Sequence, residues 1–93
     1  MRGYKKTSAY IYRKIAGQSL LFPVGEKADE LQGTIVLNEV SKYVWDCLEK
    51  PISYGELVEM IQEEYDVEGI NLDEYIIPLI EQFKQFGVIE EKV

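Results

Sequence analysis

Apolar residues change their spacing once along this chain, at Asn38. Before it they alternate or cluster briefly; after it they recur every three or four positions. Residues 8–15 alternate, with Ala9, Ile11 and Ile15 on one face and Tyr10, Tyr12 and Lys14 on the other. Their β-branched and aromatic content favours a strand. Ala16-Gly17-Gln18 supplies a turn, with glycine available for positive φ. Residues 19–24 read as the returning strand, with Leu20, Phe22 and Val24 on one face. Pro23 lacks a ladder donor and belongs near the strand end or at a non-bonded position. Residues 25–33 form a polar loop between glycines. Thr34, Ile35, Val36 and Leu37 make a third strand. The pattern predicts a three-stranded antiparallel meander, its first and third strands at the edges. Residues 1–7 read as a frayed lead-in.

Three amphipathic helices follow. Asn38 reads as an N-cap, with Glu39 in the favoured first turn. Val40, Tyr43, Val44, Cys47 and Leu48 then make one buried stripe, and Trp45 sits off it, packing against the sheet or a neighbouring helix. Pro51 ends this helix. Ser53-Tyr54-Gly55-Glu56 is a capping box, ahead of the stripe Leu57, Val58, Ile61 and Tyr65. Asn71 opens the third helix, with Glu74 three residues on. Leu72, Tyr75, Ile76, Ile77, Leu79, Ile80, Phe83 and Phe86 lie along it, most of them within a stripe about 140° wide. That is wider than one core contact needs, so one flank has apolar surface to spare; Tyr75, Leu79 and Phe86 make it the more aromatic flank. Pro78 removes one helical bond, predicting a kink, and Gly87 is the natural C′ residue. The fold class is α+β, in one domain spanning residues 1–93 with an ordered core at about 8–91.

Composition narrows the chemistry. The net charge is −7, which repels phosphate backbones and mildly favours a basic or neutral partner. There is no histidine, so the commonest general base and metal ligand are missing, and no Ser-His-Asp or Cys-His arrangement is possible. The single cysteine, Cys47, lies in a buried stripe and reads as a small hydrophobe. Glu59, Gln62, Glu63 and Glu64 read as the solvated face of the second helix; the three carboxylates lack the convergence that calcium requires. We expect no catalytic residues, no metal and no cofactor. No apolar run approaches the ~18 residues of a membrane span and no signal peptide is seen, so the expectation is a cytoplasmic protein.

Four segments taken in order carry a resemblance: LLFPVGE, then GTIVLNE, then YVWDCLEKPISYGELVEMIQEEYDV, then FKQFGVIEE. Together they resemble the PqqD-like family, also called the RiPP recognition element, a small winged helix-turn-helix domain. The resemblance covers about residues 8–91; Pro78 and Phe86 depart from the pattern. It implies that the domain binds the leader segment of a ribosomally made precursor peptide. The leader would add as a strand to the third strand and lie beside the third helix. Its partner would be a modifying enzyme, such as a radical SAM enzyme or a lasso-peptide protease and cyclase. The residues give this a physical basis, because an uncovered edge strand offers unpaired N–H and C=O groups. The expected peptide-binding residues are Thr34, Ile35, Val36, Leu37, Tyr75, Leu79, Phe83 and Phe86, with the flank near Ile77, Ile80 and Lys84 as the alternative wall.

Two other readings stand beside it. A winged-helix DNA-binding regulator needs a basic recognition helix, whereas the second helix is acidic and the third begins Asp73-Glu74. A structural subunit of a biosynthetic complex needs no peptide specificity. The same open edge is compatible with a monomer or a homodimer.

Overall fold

A computed structural model describes residues 3–25 and 33–92. The polar loop expected at 25–33 falls largely outside them. Strands β1 (Gly3–Lys6), β2 (Tyr10–Ile15), β3 (Gln18–Pro23) and β4 (Ile35–Leu37) lead into helices α1 (Glu39–Cys47), α2 (Tyr54–Glu64) and α3 (Leu72–Gln85), and strand β5 (Ile89–Lys92) follows. The sheet β2-β3-β4 is an antiparallel meander with β2 and β4 at its edges. Three strands followed by three helices give the expected α+β, winged-helix arrangement.

A two-residue turn fixes the sheet. Ile15 pairs with Gln18, and Ala16 and Gly17 both take positive φ, at 52° and 81°. That is the signature of a type I′ hairpin, whose twist matches the strands. Every later register follows from it. Tyr10, Tyr12 and Leu21 face the helices, while Ile11, Leu20 and Phe22 face outward. Leu21, which the sequence pattern did not place on the main apolar face, is fully buried. Trp45 packs on this sheet as expected: its ring stacks on Tyr12 with centroids 5.7 Å apart, and the Lys6 ammonium lies 3.7 Å over it.

The core joins Leu21 to Val44 and Leu48, Leu57 and Ile61, and Ile76 and Phe83. Each helix starts where a capping side chain is available. Ser53 and Glu56 form the predicted box at α2, and Asn71 Oδ1 accepts from the Asp73 N–H at α3. α3 runs through Pro78 without a break in its helical residues. Pro78 and Glu74, whose carbonyl loses its helical donor, are both exposed, so water can reach that carbonyl. At the far end the Val88 N–H bonds Phe83 O, the Gly87 N–H bonds Lys84 O, and Gly87 has φ 77°. This is a Schellman motif, and Phe83 and Val88 at its two ends are both buried in the core.

The ends of the chain correct the sequence reading. Residues 3–6 are not frayed: β1 pairs antiparallel with β5, and Tyr4 also bridges Ile52. The signal was present in Val88 and Ile89, both buried, but a short strand is silent until its partner is known.

Two stability tests follow. Phe83→Ala should cost about 3–5 kcal/mol in chemical denaturation, as a large side chain lost from the centre of the core. The second test is alkaline. Tyr43, whose hydroxyl donates to Met60 O at 3.1 Å, is pushed up to about 12 by burial and by the Cys47 thiol and Glu64 nearby. Tyr54, donating to Asp73 Oδ1 at 2.7 Å, is likewise pushed up to about 12 by burial and that carboxylate. Folding therefore favours the protonated phenols, and this stabilisation is complete below the ordinary value of 10.0 and lost as pH rises toward about 12. Melting temperature should fall across that window, and Tyr43→Phe with Tyr54→Phe should flatten the fall.

Candidate functional site

The site begins with the direction of the backbone groups on β4. In a two-residue hairpin the closing pair Ile15 and Gln18 exchanges hydrogen bonds, and bonded pairs then alternate. The Val24 N–H bonds Ala9 O at 2.8 Å, in step with that alternation. Pro23 falls at a non-bonded position, which explains its tolerance. Leu20 thus points its backbone groups at β2, while Ser19 and Leu21 point theirs at β4. Leu37 and Ile35 are their partners, so Val36 turns its N–H and C=O outward from the open edge. Phe22 lies opposite Thr34 in the same register, so Thr34 shares Val36's orientation. Asn38 ends the edge. Its N–H donates to Ser41 Oγ at 2.9 Å and its carbonyl accepts the Lys42 N–H at 2.9 Å.

Side chains alternate with these groups. Leu37 is buried and Ile35 half-buried toward the helices, whereas Val36 is 63% exposed on the outer face. Between β4 and α3 lies a cleft of about 660 Å³. Its walls are Ile35, Val36 and Leu37 on one side and Tyr75, Pro78, Leu79 and Gln82 on the other, with Phe83 at the floor. Tyr75 is 45% exposed, and its hydroxyl accepts from Asn38 Nδ2 at 3.2 Å. Asn38 and Ser41 thus close one end of the cleft, and Glu81 and Gln85 line the other part of α3.

The expected residues do not all meet. Ile35, Val36, Leu37, Tyr75, Leu79 and Phe83 line one cleft, and Thr34 lies exposed beside it. Phe86 lies outside the lining. It packs against the core as the C-cap of α3, and its carbonyl accepts the Tyr10 hydroxyl at 2.8 Å. Its place at the helix end made it look spare in sequence, but the meander folds back onto that end. Pro78 and Gln82, passed over in the sequence, join the wall because they sit three and seven residues after Tyr75 on the same flank. The opposite flank is different ground. Ile77 and Ile80 adjoin Tyr4 and Tyr54, and Tyr4 already bonds Ile52 through both backbone groups.

β2 is the other edge of the meander, but Arg13 and Lys14 sit on it, and charged side chains of this kind blunt an edge against pairing. Residues 34–37 carry no charge.

A small winged helix-turn-helix domain with one uncharged sheet edge beside a cleft of mixed apolar and polar lining is the class that fold and site define. The family model for PqqD, coenzyme PQQ synthesis protein D, matches residues 20–89. The chain belongs to the PqqD family, which places it in the biosynthesis of PQQ and related ribosomally made peptide products. No curated protein and no solved structure matches it.

Asn38 carries one testable consequence. Its side chain accepts the Ser41 N–H at 2.8 Å and donates to Tyr75, so it caps α1 and holds a wall of the cleft. Asn38→Ala should lower stability by about 1–2 kcal/mol. Tyr75→Phe keeps the cap and should leave stability nearly unchanged in the same denaturation assay.

Proposed function

We propose that this protein binds the leader segment of a precursor peptide by strand addition along β4 and presents it to a modifying enzyme, without catalysing a step itself. The observation that carries this reading is the outward N–H and C=O of Val36 beside a cleft of mixed character, whose apolar wall is Leu79 and Phe83 and whose polar part is Asn38, Gln82 and Gln85. Backbone pairing gives a peptide affinity with little dependence on its side chains, and the cleft supplies the selection. In an antiparallel pairing, the leader residue opposite Val36 points to the outer face of the sheet. The residues before and after it point into the cleft, toward Tyr75, Leu79 and the floor at Phe83. The reading therefore asks for two apolar leader residues separated by one. The ladder stops at Asn38, whose backbone groups are already used. The lack of histidine and the burial of Cys47 support an accessory role.

A DNA-reading role for the winged-helix fold has the charge against it. α2 and the first turn of α3 are acidic, and phosphate contacts need cations there.

Calorimetric titration with a leader peptide, alongside amide shift mapping, tests the proposal. Leu79→Ala should weaken binding more than tenfold, equivalent to about 2 kcal/mol, while the fold survives. Val36→Pro removes the outward donor and should abolish binding, with a melt to show that the strand persists. Thr34→Ala should do little, because its contribution is backbone. Phe86→Ala should change stability and leave affinity nearly untouched. Unmoved amides at residues 34–37 on adding leader would overturn strand addition.

A further inference from the structure

Residues 51–83 contain nine Asp or Glu and no Lys or Arg. Among the described residues one of these nine, Glu81, is ion-paired, with Lys84; the other pairs join Lys6 to Glu49, Lys42 to Asp46, Lys84 to Glu91 and Lys92 to Glu90. None uses a carboxylate of α2, of the α2–α3 connection or of the first turn of α3. Negative charge is therefore heaviest where α2 and the α2–α3 connection lie, and a field of that kind steers cations toward that side.

An apolar pocket opens on that same side. Tyr65, Val67, Ile70, Leu72 and Tyr75 surround it, with Ile61 beneath, and Asp66 is the one charged residue in its lining. Ile70 is 58% exposed at its mouth. Burial, and behind it the carboxylates of Glu39 and Glu64, push the Tyr65 hydroxyl up, so acid groups reach the rim. The pocket measures about 240 Å³, below the ~300–1,000 Å³ of small-molecule sites and of a size for one side chain. Acidic surroundings disfavour a nucleic acid or an anionic membrane. The peptide cleft is a different surface, sharing only Tyr75 with this one.

We propose that this pocket docks the modifying enzyme, through a segment that seats one apolar side chain against Val67, Ile70 and Leu72 while flanking lysines or arginines lie over Glu64, Asp66 and Glu68. The apolar anchor supplies affinity in a desolvated centre, and the charged rim supplies encounter rate and orientation. That the partner is an enzyme rests on the delivery function proposed above; the chemistry of the segment rests on the pocket. Two surfaces on one domain would let leader and enzyme be held at once.

The probe is the synthetic peptide acetyl-Lys-Arg-Leu-Trp-Lys-Arg-amide, titrated into the full chain with amide shift mapping. Shifts are expected at Val67, Ile70 and Leu72, with affinity falling as salt rises. Ile70→Ser should weaken binding at least about tenfold, and so should Glu64→Lys combined with Glu68→Lys. Both are surface changes, and thermal melts establish that the variants fold. No shifts at the pocket would overturn the proposal. So would equal shifts from a peptide with Gly-Ser in place of Leu-Trp, which would reduce the effect to charge alone. Pocket shifts that grow with protein concentration and no peptide would give the surface to a second copy instead. Leader titration of Ile70→Ser reads the amides at 34–37 separately, so failure there would count against strand addition and leave the docking result standing.

Discussion

The structure turns on Asn38. One residue ends the last strand of the meander, starts the first helix and anchors the third. Its backbone groups leave the sheet ladder for α1, and its side chain divides between the Ser41 N–H and the Tyr75 hydroxyl. A strand cannot lengthen past a residue whose N–H and C=O are both committed to a helix. The edge is therefore short by construction, and its position relative to α3 is set by the same side chain that closes it. Short edges are also the ones that resist indiscriminate pairing. The edge of β4 has both properties: it is open, and it is brief.

Most of the helical part was legible in the sequence. The stripes in α1, α2 and α3 repeat at helical spacing, and Asn38, Ser53, Asn71 and Gly87 mark their ends with side chains or conformations that the backbone requires. The sheet was legible as strands and as a meander but not as faces. Residues 19–24 are apolar at nearly every position, so alternation could not say whether Leu21 or its neighbours turned inward. The turn at Ala16-Gly17 decides it through register. β1 and β5 were beyond reach for a different reason: each is four residues long and each becomes a strand only by meeting the other across the whole chain.

The candidate site divides along the same line. Ile35, Val36 and Leu37 could be named because an edge strand announces itself by order in the chain. Tyr75 and Leu79 could be named because the stripe on α3 is too wide for one contact. Phe86 could not be placed, since its surroundings come from Tyr10, seventy-six residues away. The orientation of Val36 is a further step again. It needs a hairpin closed by two residues and a parity count across two strand pairs, which no local pattern encodes.

The pairing of β1 with β5 has a consequence for the two flanks of α3. The two strands run side by side near Tyr4, against the flank of α3 that carries Ile77 and Ile80. The cleft beside β4 occupies the opposite flank, at Tyr75 and Leu79. Gly3 pairs with Lys92, so the outer ends of the two strands lie next to each other. One helix thus separates the closing strand pair from the cleft, so a change on the Ile77 and Ile80 flank can alter how the sheet ends are held without entering the cleft lining.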